Sequence, residues 1–154
     1  MKVYLIQHGE SLTEEVDPTR PLSEKGQKDS VKIAELLKKL EIKVSVIYES
    51  GKKRATQTAE IINSKISSLK GIIQRNGLAP NDPVSPWVGE LHNKGEEDII
   101  IVGHLPFLSR LTSRLLNKKE EEEIVAFTPG GVVCLERFKD KQWWIRWMVL
   151  PELF

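Results

Sequence analysis

Three short apolar runs, Val3–Ile6, Val44–Tyr48 and Ile99–Val102, each give way to a polar, glycine-bearing junction and then to a stretch with helical periodicity. Continuous runs rich in β-branched residues suit strands buried on both faces. Their alternation with helices restricts the chain to an α/β arrangement, with a mainly parallel central sheet and helices on both faces, because parallel neighbours need a crossover between them. Open sheets of this kind gather ligands outside the carboxyl ends of their strands. The three junctions are therefore the places to look for chemistry. The first is Gln7-His8-Gly9-Glu10, the second is Glu49-Ser50-Gly51 followed by a helix bearing Arg54, and the third is Gly103-His104-Leu105-Pro106. Two imidazoles and a guanidinium are expected to meet at one sheet edge.

The remaining elements follow from pattern. Ser23-Glu24-Lys25-Gly26 reads as a capped entry to a helix over Ser23–Leu40, with Val31, Ala34, Leu37 and Leu40 as its apolar stripe. A second helix runs from about Lys52 to Ile66, where Ala55, Ala59, Ile62 and Ile66 share a face. Ile72–Gln74 fits a short strand, Leu78–Trp87 an irregular loop rich in proline, and Val88–Lys94 a short helix. Pro106 suits the first turn of a helix reaching Leu116. Val132–Phe138 and Trp143–Val149 read as an antiparallel hairpin across Lys139-Asp140-Lys141, which gives the sheet an antiparallel C-terminal edge. The charged tract Lys118–Glu123 reads as a solvated helix end or loop, and His92 as a surface helix position.

A length of 154 residues is enough for one domain, 1–154, with a single core. The formal net charge of +1 provides no field to draw the chain to nucleic acid or membrane, so an anion site must be built locally. No run approaches the roughly 20 apolar residues that span a bilayer, and cytoplasm is the expected compartment. Cys134 is the one cysteine and lies in the apolar run Gly131-Val132-Val133-Cys134-Leu135, which suits a buried strand thiol better than a nucleophile.

Together the junctions carry a resemblance to the histidine phosphatase superfamily, the phosphoglycerate-mutase-like enzymes, and most closely to its short bacterial phosphohistidine phosphatases of the SixA type. The motifs are Gln7-His8-Gly9-Glu10 for the family's Arg-His-Gly start, Arg20-Pro21-Leu22-Ser23-Glu24-Lys25-Gly26, Ser50-Gly51-Lys52-Lys53-Arg54-Ala55-Thr56-Gln57-Thr58-Ala59, and Val102-Gly103-His104-Leu105-Pro106. The resemblance implies a metal-independent phosphatase without a cofactor. His8 is then the nucleophile, because a neutral imidazole nitrogen can attack phosphorus and the phosphohistidine formed is labile to water. Arg54 and His104 would hold the equatorial oxygens, with Gln7 and Gly9 completing the phosphate site and backbone amides after Gly9 adding donors. A phosphohistidine-bearing protein or a small phosphorylated molecule is the implied partner.

Gln7 departs from the family pattern. An amide can donate to a phosphoryl oxygen but makes no charged fork, and losing one charge-assisted contact costs about 1.5 to 3 kcal/mol, or about one to two decades in rate. Arg20 or the lysines Lys52 and Lys53 are candidates to restore charge. Asp82, Glu90 and Glu10 are candidate general acids, none of which the sequence assigns. Without an acid the chemistry favours phosphohistidine, since an imidazole departs with less help than an alkoxide. The alternative reading is a degenerate phosphatase that binds phosphate or a phosphoprotein without efficient turnover. A metal enzyme is a poorer fit, because the three histidines lack matching acidic or thiolate spacing.

Overall fold

The computed structural model describes residues 1–154 throughout and contains one mixed sheet of six strands in the order β3-β2-β4-β1-β5-β6. In chain order the elements are β1 (Lys2–Gln7), α1 (Glu24–Lys39), β2 (Val46–Glu49), α2 (Lys53–Ile66), β3 (Ile72–Gln74), α3 (Ser85–Asn93), β4 (Ile99–Gly103), α4 (Phe107–Leu115), β5 (Val132–Arg137) and β6 (Trp143–Val149). Strands β1 to β4 run parallel to one another, while β5 pairs antiparallel with both β1 and β6. The expected α/β architecture with an antiparallel C-terminal edge is what the chain forms.

Strand parity builds the three layers, because successive side chains point to opposite faces. Val3, Leu5, Ile99 and Ile101 pack with Trp87 and Leu91 of α3 and with Phe107, Leu108 and Leu111 of α4. Tyr4, Ile6, Ile100 and Val102 pack on the other face with Ile33, Ala34 and Leu37 of α1 and with Ala55, Ala59 and Ile62 of α2. The helix after β1 thus covers one face and the helix after β4 the other. Since β1 and β4 are adjacent, with Gln7 beside Gly103 in the register, their carboxyl ends open onto a crevice at a topological switch point.

Three expectations change. The α1 stripe is Ser30, Ile33, Ala34 and Leu37, whereas Val31 and Leu40 are exposed. Asp29 is buried because its carboxylate is flanked by the ammonium groups of Lys25 and Lys32, so a charged residue sits where the apolar pattern predicts none. Helix α3 starts at Ser85 with a proline in its first turn, inside the segment expected to be loop. His92 is half-buried at the end of that helix, its ring 6.5 Å from Trp143, so it is no surface position.

Helix α1 enters the fold through an unusually close backbone approach. The Ser23 hydroxyl caps it by accepting from the Gly26 amide at 3.0 Å and donates to the Glu10 carboxylate at 2.8 Å. A Cβ on Gly26 would overlap the Glu10 carbonyl oxygen, and one on Gly9 would lie 2.7 Å from the Gly26 carbonyl oxygen. Both contacts are backbone, which cannot move aside locally. Gly26→Ala is expected to destabilise the protein by about 3 kcal/mol, at the upper end of overpacking costs. A urea midpoint indistinguishable from that of the parent protein would contradict this.

Candidate active site

A cavity of about 410 Å³ at the β1/β4 crevice is lined by Gln7, His8, Arg54 and His104, together with Glu10, Ser11, Arg20, Pro80, Leu105 and Pro129. The four sequence candidates for phosphoryl contact through side chains are brought together there. A larger and more open concavity of about 770 Å³ lies on the β5–β6 hairpin and is lined by no histidine. The chemistry belongs with the smaller cavity.

His8 follows β1 directly, its amide donating to the Gly103 carbonyl at 3.0 Å, so the strand ladder extends to the residue itself. Its Nδ1 lies 2.7 Å from the Gly9 carbonyl oxygen. A carbonyl only accepts, so Nδ1 carries the proton and Nε2 carries the lone pair. Arg54, in the first turn of α2, donates from Nε to that Nε2 at 3.2 Å. Burial pushes the imidazole pKa down to about 4, the Gly9 carbonyl opposes this, and the charges of Arg54 and Arg20 add to the lowering. The ring is neutral at physiological pH, as a nucleophilic nitrogen must be.

His104 is almost completely buried, with its ring centroid 4.9 Å from that of His8. Its Nε2 is 2.6 Å from the Ser50 hydroxyl oxygen, at the carboxyl end of β2, and its Nδ1 has no protein partner. Burial, then the neighbouring His8, Arg54, Lys52 and Arg20, take its pKa down to about 3. For Arg54, burial and the charge of Arg20 lower the guanidinium from its ordinary value, while Glu14 acts the other way.

Gln7 is held by the backbone on both sides, its amide donating to Gly131 and its carbonyl accepting from Gly130. The side chain is 9% exposed, and its Oε1 is buried without a protein donor. Arg20 reaches the cavity from the loop before α1, its guanidinium tied to the Leu12 carbonyl at 3.2 Å and the Ser11 hydroxyl at 3.1 Å. Lys52 and Lys53 are exposed.

Three expectations need correction. The Gly9 amide is no free phosphate donor, because it is spent on the Thr58 hydroxyl at 3.0 Å, which in turn donates to the Arg54 carbonyl at 2.8 Å. Asp82 lies outside this cavity, its carboxylate accepting from the Ala79 amide at 2.9 Å. Glu90 is also outside, its carboxylate clamped by the Arg75 guanidinium at 2.8 and 3.1 Å, which holds its pKa below the usual range. Of the three candidate acids, Glu10 alone lines the cavity, with Oε1 engaged by Ser23. Ser50 and Thr58 were missed by sequence reasoning. The signals were Ser50 at a strand end and Thr58 one helical turn after Arg54.

Comparison with known proteins settles the family. The sequence pattern of the histidine phosphatase superfamily (branch 1) matches residues 3–79, half of the chain and the part that supplies Gln7, His8 and Arg54. The chain belongs to the histidine phosphatase superfamily. The chain is similar to the phosphohistidine phosphatase SixA of Escherichia coli (strain K12), 26% identical over 119 residues that cover 75% of this chain and 74% of the relative. Its fold matches the protein histidine phosphatase SixA complexed with tungstate, with a TM-score of 0.88, 22% identity and 99% of each chain covered. The α-ribazole phosphatase of Shigella flexneri shares the fold at a TM-score of 0.80 and 18% identity, covering 98% of this chain and 96% of that one.

The buried imidazoles also set a pH dependence of stability. Both folded pKa values lie below the ordinary 6.5, so between that value and about 4 the unfolded chain binds more protons than the folded one. Stability contributed by the neutral rings is present above pH 6.5 and is lost as pH falls through this window. NMR of imidazole-labelled protein is expected to place the His8 titration near pH 4 and that of His104 near pH 3, with the denaturation midpoint declining over the same range. A titration near 6.5 for either ring would overturn the assignment of buried neutral imidazoles.

Proposed function

We propose that this histidine phosphatase superfamily member is a phosphohistidine phosphatase that works through a covalent phospho-His8 intermediate. The observation that carries the proposal is the state of His8. Its Nδ1 is committed to the Gly9 carbonyl, its Nε2 accepts from Arg54 Nε, and its ring lies 4.9 Å from that of His104. In the first step the Nε2 pair forms the bond to phosphorus while the bond from phosphorus to the substrate nitrogen breaks. The substrate ring, protonated on its other nitrogen, takes that electron pair and leaves as neutral imidazole, while phospho-His8 keeps its Nδ1 proton on the Gly9 carbonyl. In the second step water attacks phosphorus, the His8 pair returns to Nε2, and the water proton leaves with phosphate or solvent. Arg54 balances the charge on the equatorial oxygens, and His104, positioned by Ser50, hydrogen-bonds the transferring group.

Phosphohistidine is favoured over a phosphate ester by the disposition of the carboxylates. An alkoxide leaves only with a well-placed acid, and of Asp82, Glu90 and Glu10 the cavity holds only Glu10, already bonded to Ser23. The similar SixA proteins point the same way, one named for phosphohistidine and one complexed with tungstate, an oxyanion. We take the partner to be a protein displaying phosphohistidine. Gln7 favours the second reading, a protein that holds a phosphoryl group and turns it over poorly, because it removes one charged contact.

Incubation with a phosphohistidine protein and, separately, with an aryl phosphate, both with a chelator present, tests the proposal. Release of phosphate from the first at a rate at least about tenfold above the second is expected, a gap of about 1.4 kcal/mol in barrier. His8→Ala is expected to abolish turnover while leaving the fold intact, and acid-labile phosphate should be trapped on His8 during turnover. Binding of the phosphoprotein without release of phosphate by the parent protein would support the second reading. Full activity in a folded His8→Ala protein would sink the covalent mechanism.

A further inference from the structure

We propose that a second concavity beside the catalytic cavity receives a basic side chain of the substrate protein, one placed within a helical turn of the phosphohistidine, and that Asp82 is the carboxylate that binds it. The inference rests on the reading of the protein as a phosphohistidine phosphatase and concerns which protein surfaces it accepts. The concavity, of about 360 Å³, is lined by Ser50 and by residues of the segment 75–83. It adjoins the catalytic cavity at two points. The Ser50 hydroxyl oxygen lies 2.6 Å from His104 Nε2, and Pro80, which lines the catalytic cavity, follows Ala79, which lines this one. Residues three or four apart on a helix lie about 5 to 6 Å from each other. A protein that presents its phosphohistidine to His8 therefore brings a neighbouring side chain within reach of this concavity.

The charged groups of the wall select a cation. Arg75 is spent within the fold: both terminal nitrogens hold the Glu90 carboxylate, at 2.8 and 3.1 Å, and the guanidinium lies 5.0 and 4.6 Å from the ring centroids of Tyr48 and Trp87. Its charge is thereby offset. Asp82 differs, because its Oδ2 accepts from the Ala79 amide at 2.9 Å while its Oδ1 has no partner and is open to solvent. Arg110 of α4 holds the Asp82 main-chain carbonyl at 2.6 Å and approaches the Glu120 carboxylate at 4.0 Å, so it does not neutralise the Asp82 side chain. The half-buried carboxylate is thus fixed through its side chain and its backbone, and keeps one oxygen for a ligand. An ion pair between two mobile side chains gains little, whereas here only the incoming side chain has to be ordered.

Helical peptides of one sequence, phosphorylated on a single histidine and carrying lysine, glutamine or glutamate three or four residues to either side of it, test this through the ratios of kcat/KM between them. With the parent protein, lysine at one of these positions is expected to raise kcat/KM about fivefold over glutamine, chiefly through KM, and glutamate to lower it. Asp82→Asn keeps an oxygen for the Ala79 amide and removes the charge, so the lysine and glutamine peptides should become equal. Asp82→Lys should reverse the order in favour of glutamate. Each ratio is taken within one protein, so a general loss of activity cancels. A lysine preference at none of the positions, or one that persists in Asp82→Asn and so belongs to another carboxylate, overturns the inference and leaves the phosphatase standing. No release of phosphate from any of the peptides overturns both.

Discussion

Gly9 is the residue on which three elements and the placement of His8 depend. Its carbonyl holds Nδ1 of His8 and so fixes the tautomer that puts the lone pair on Nε2, where it accepts from Arg54. Its amide is bonded to Thr58 of α2, whose hydroxyl bonds back to the Arg54 carbonyl, so the arginine and the histidine are both referred to Gly9. Its α-carbon leaves space for α1, because a side chain there would run into the Gly26 carbonyl and the Ser30 hydroxyl. One backbone position therefore sets the relative placement of β1, α1 and α2. A catalytic geometry that tolerates errors of only fractions of an ångström is best held by such short, covalently limited links.

The parallel core was legible because it obeys a local rule. Runs such as Val3–Ile6 and Ile99–Val102 carry their burial in their own composition, and their junctions with helices mark the strand ends where His8 and His104 lie. What escaped was decided by partners distant in sequence. Val31 is exposed and Asp29 buried because α1 turns the face of Ser30, Ile33 and Ala34 inward against Gly9 and the sheet, and because Lys25 and Lys32 offset the buried carboxylate. Glu90 is withdrawn from the cavity by Arg75, itself stacked over the rings of Tyr48 and Trp87 at 5.0 and 4.6 Å. The Gly9 amide looked available because glycine permits close approach to an anion, yet the approach that it permits is to a helix. Ser50 was visible as a strand-end residue, but its hydrogen bond with His104 joins positions 54 residues apart.

The electrostatic design follows from the burial of the two imidazoles. Burial keeps both imidazoles neutral, which supplies a lone pair on His8 but removes the cationic help that a protonated His104 would give. Arg54 and Arg20 then carry the positive charge, and Arg20 is tethered by Leu12 and Ser11 at the entrance. A third guanidinium in place of Gln7 would be buried beside Arg54 with its like charge uncompensated whenever no anion is bound. A neutral amide avoids that cost in the free protein and forgoes part of the stabilisation in the transition state. An amide in place of the usual arginine thus trades charge compensation of a bound anion against the stability of the empty cavity.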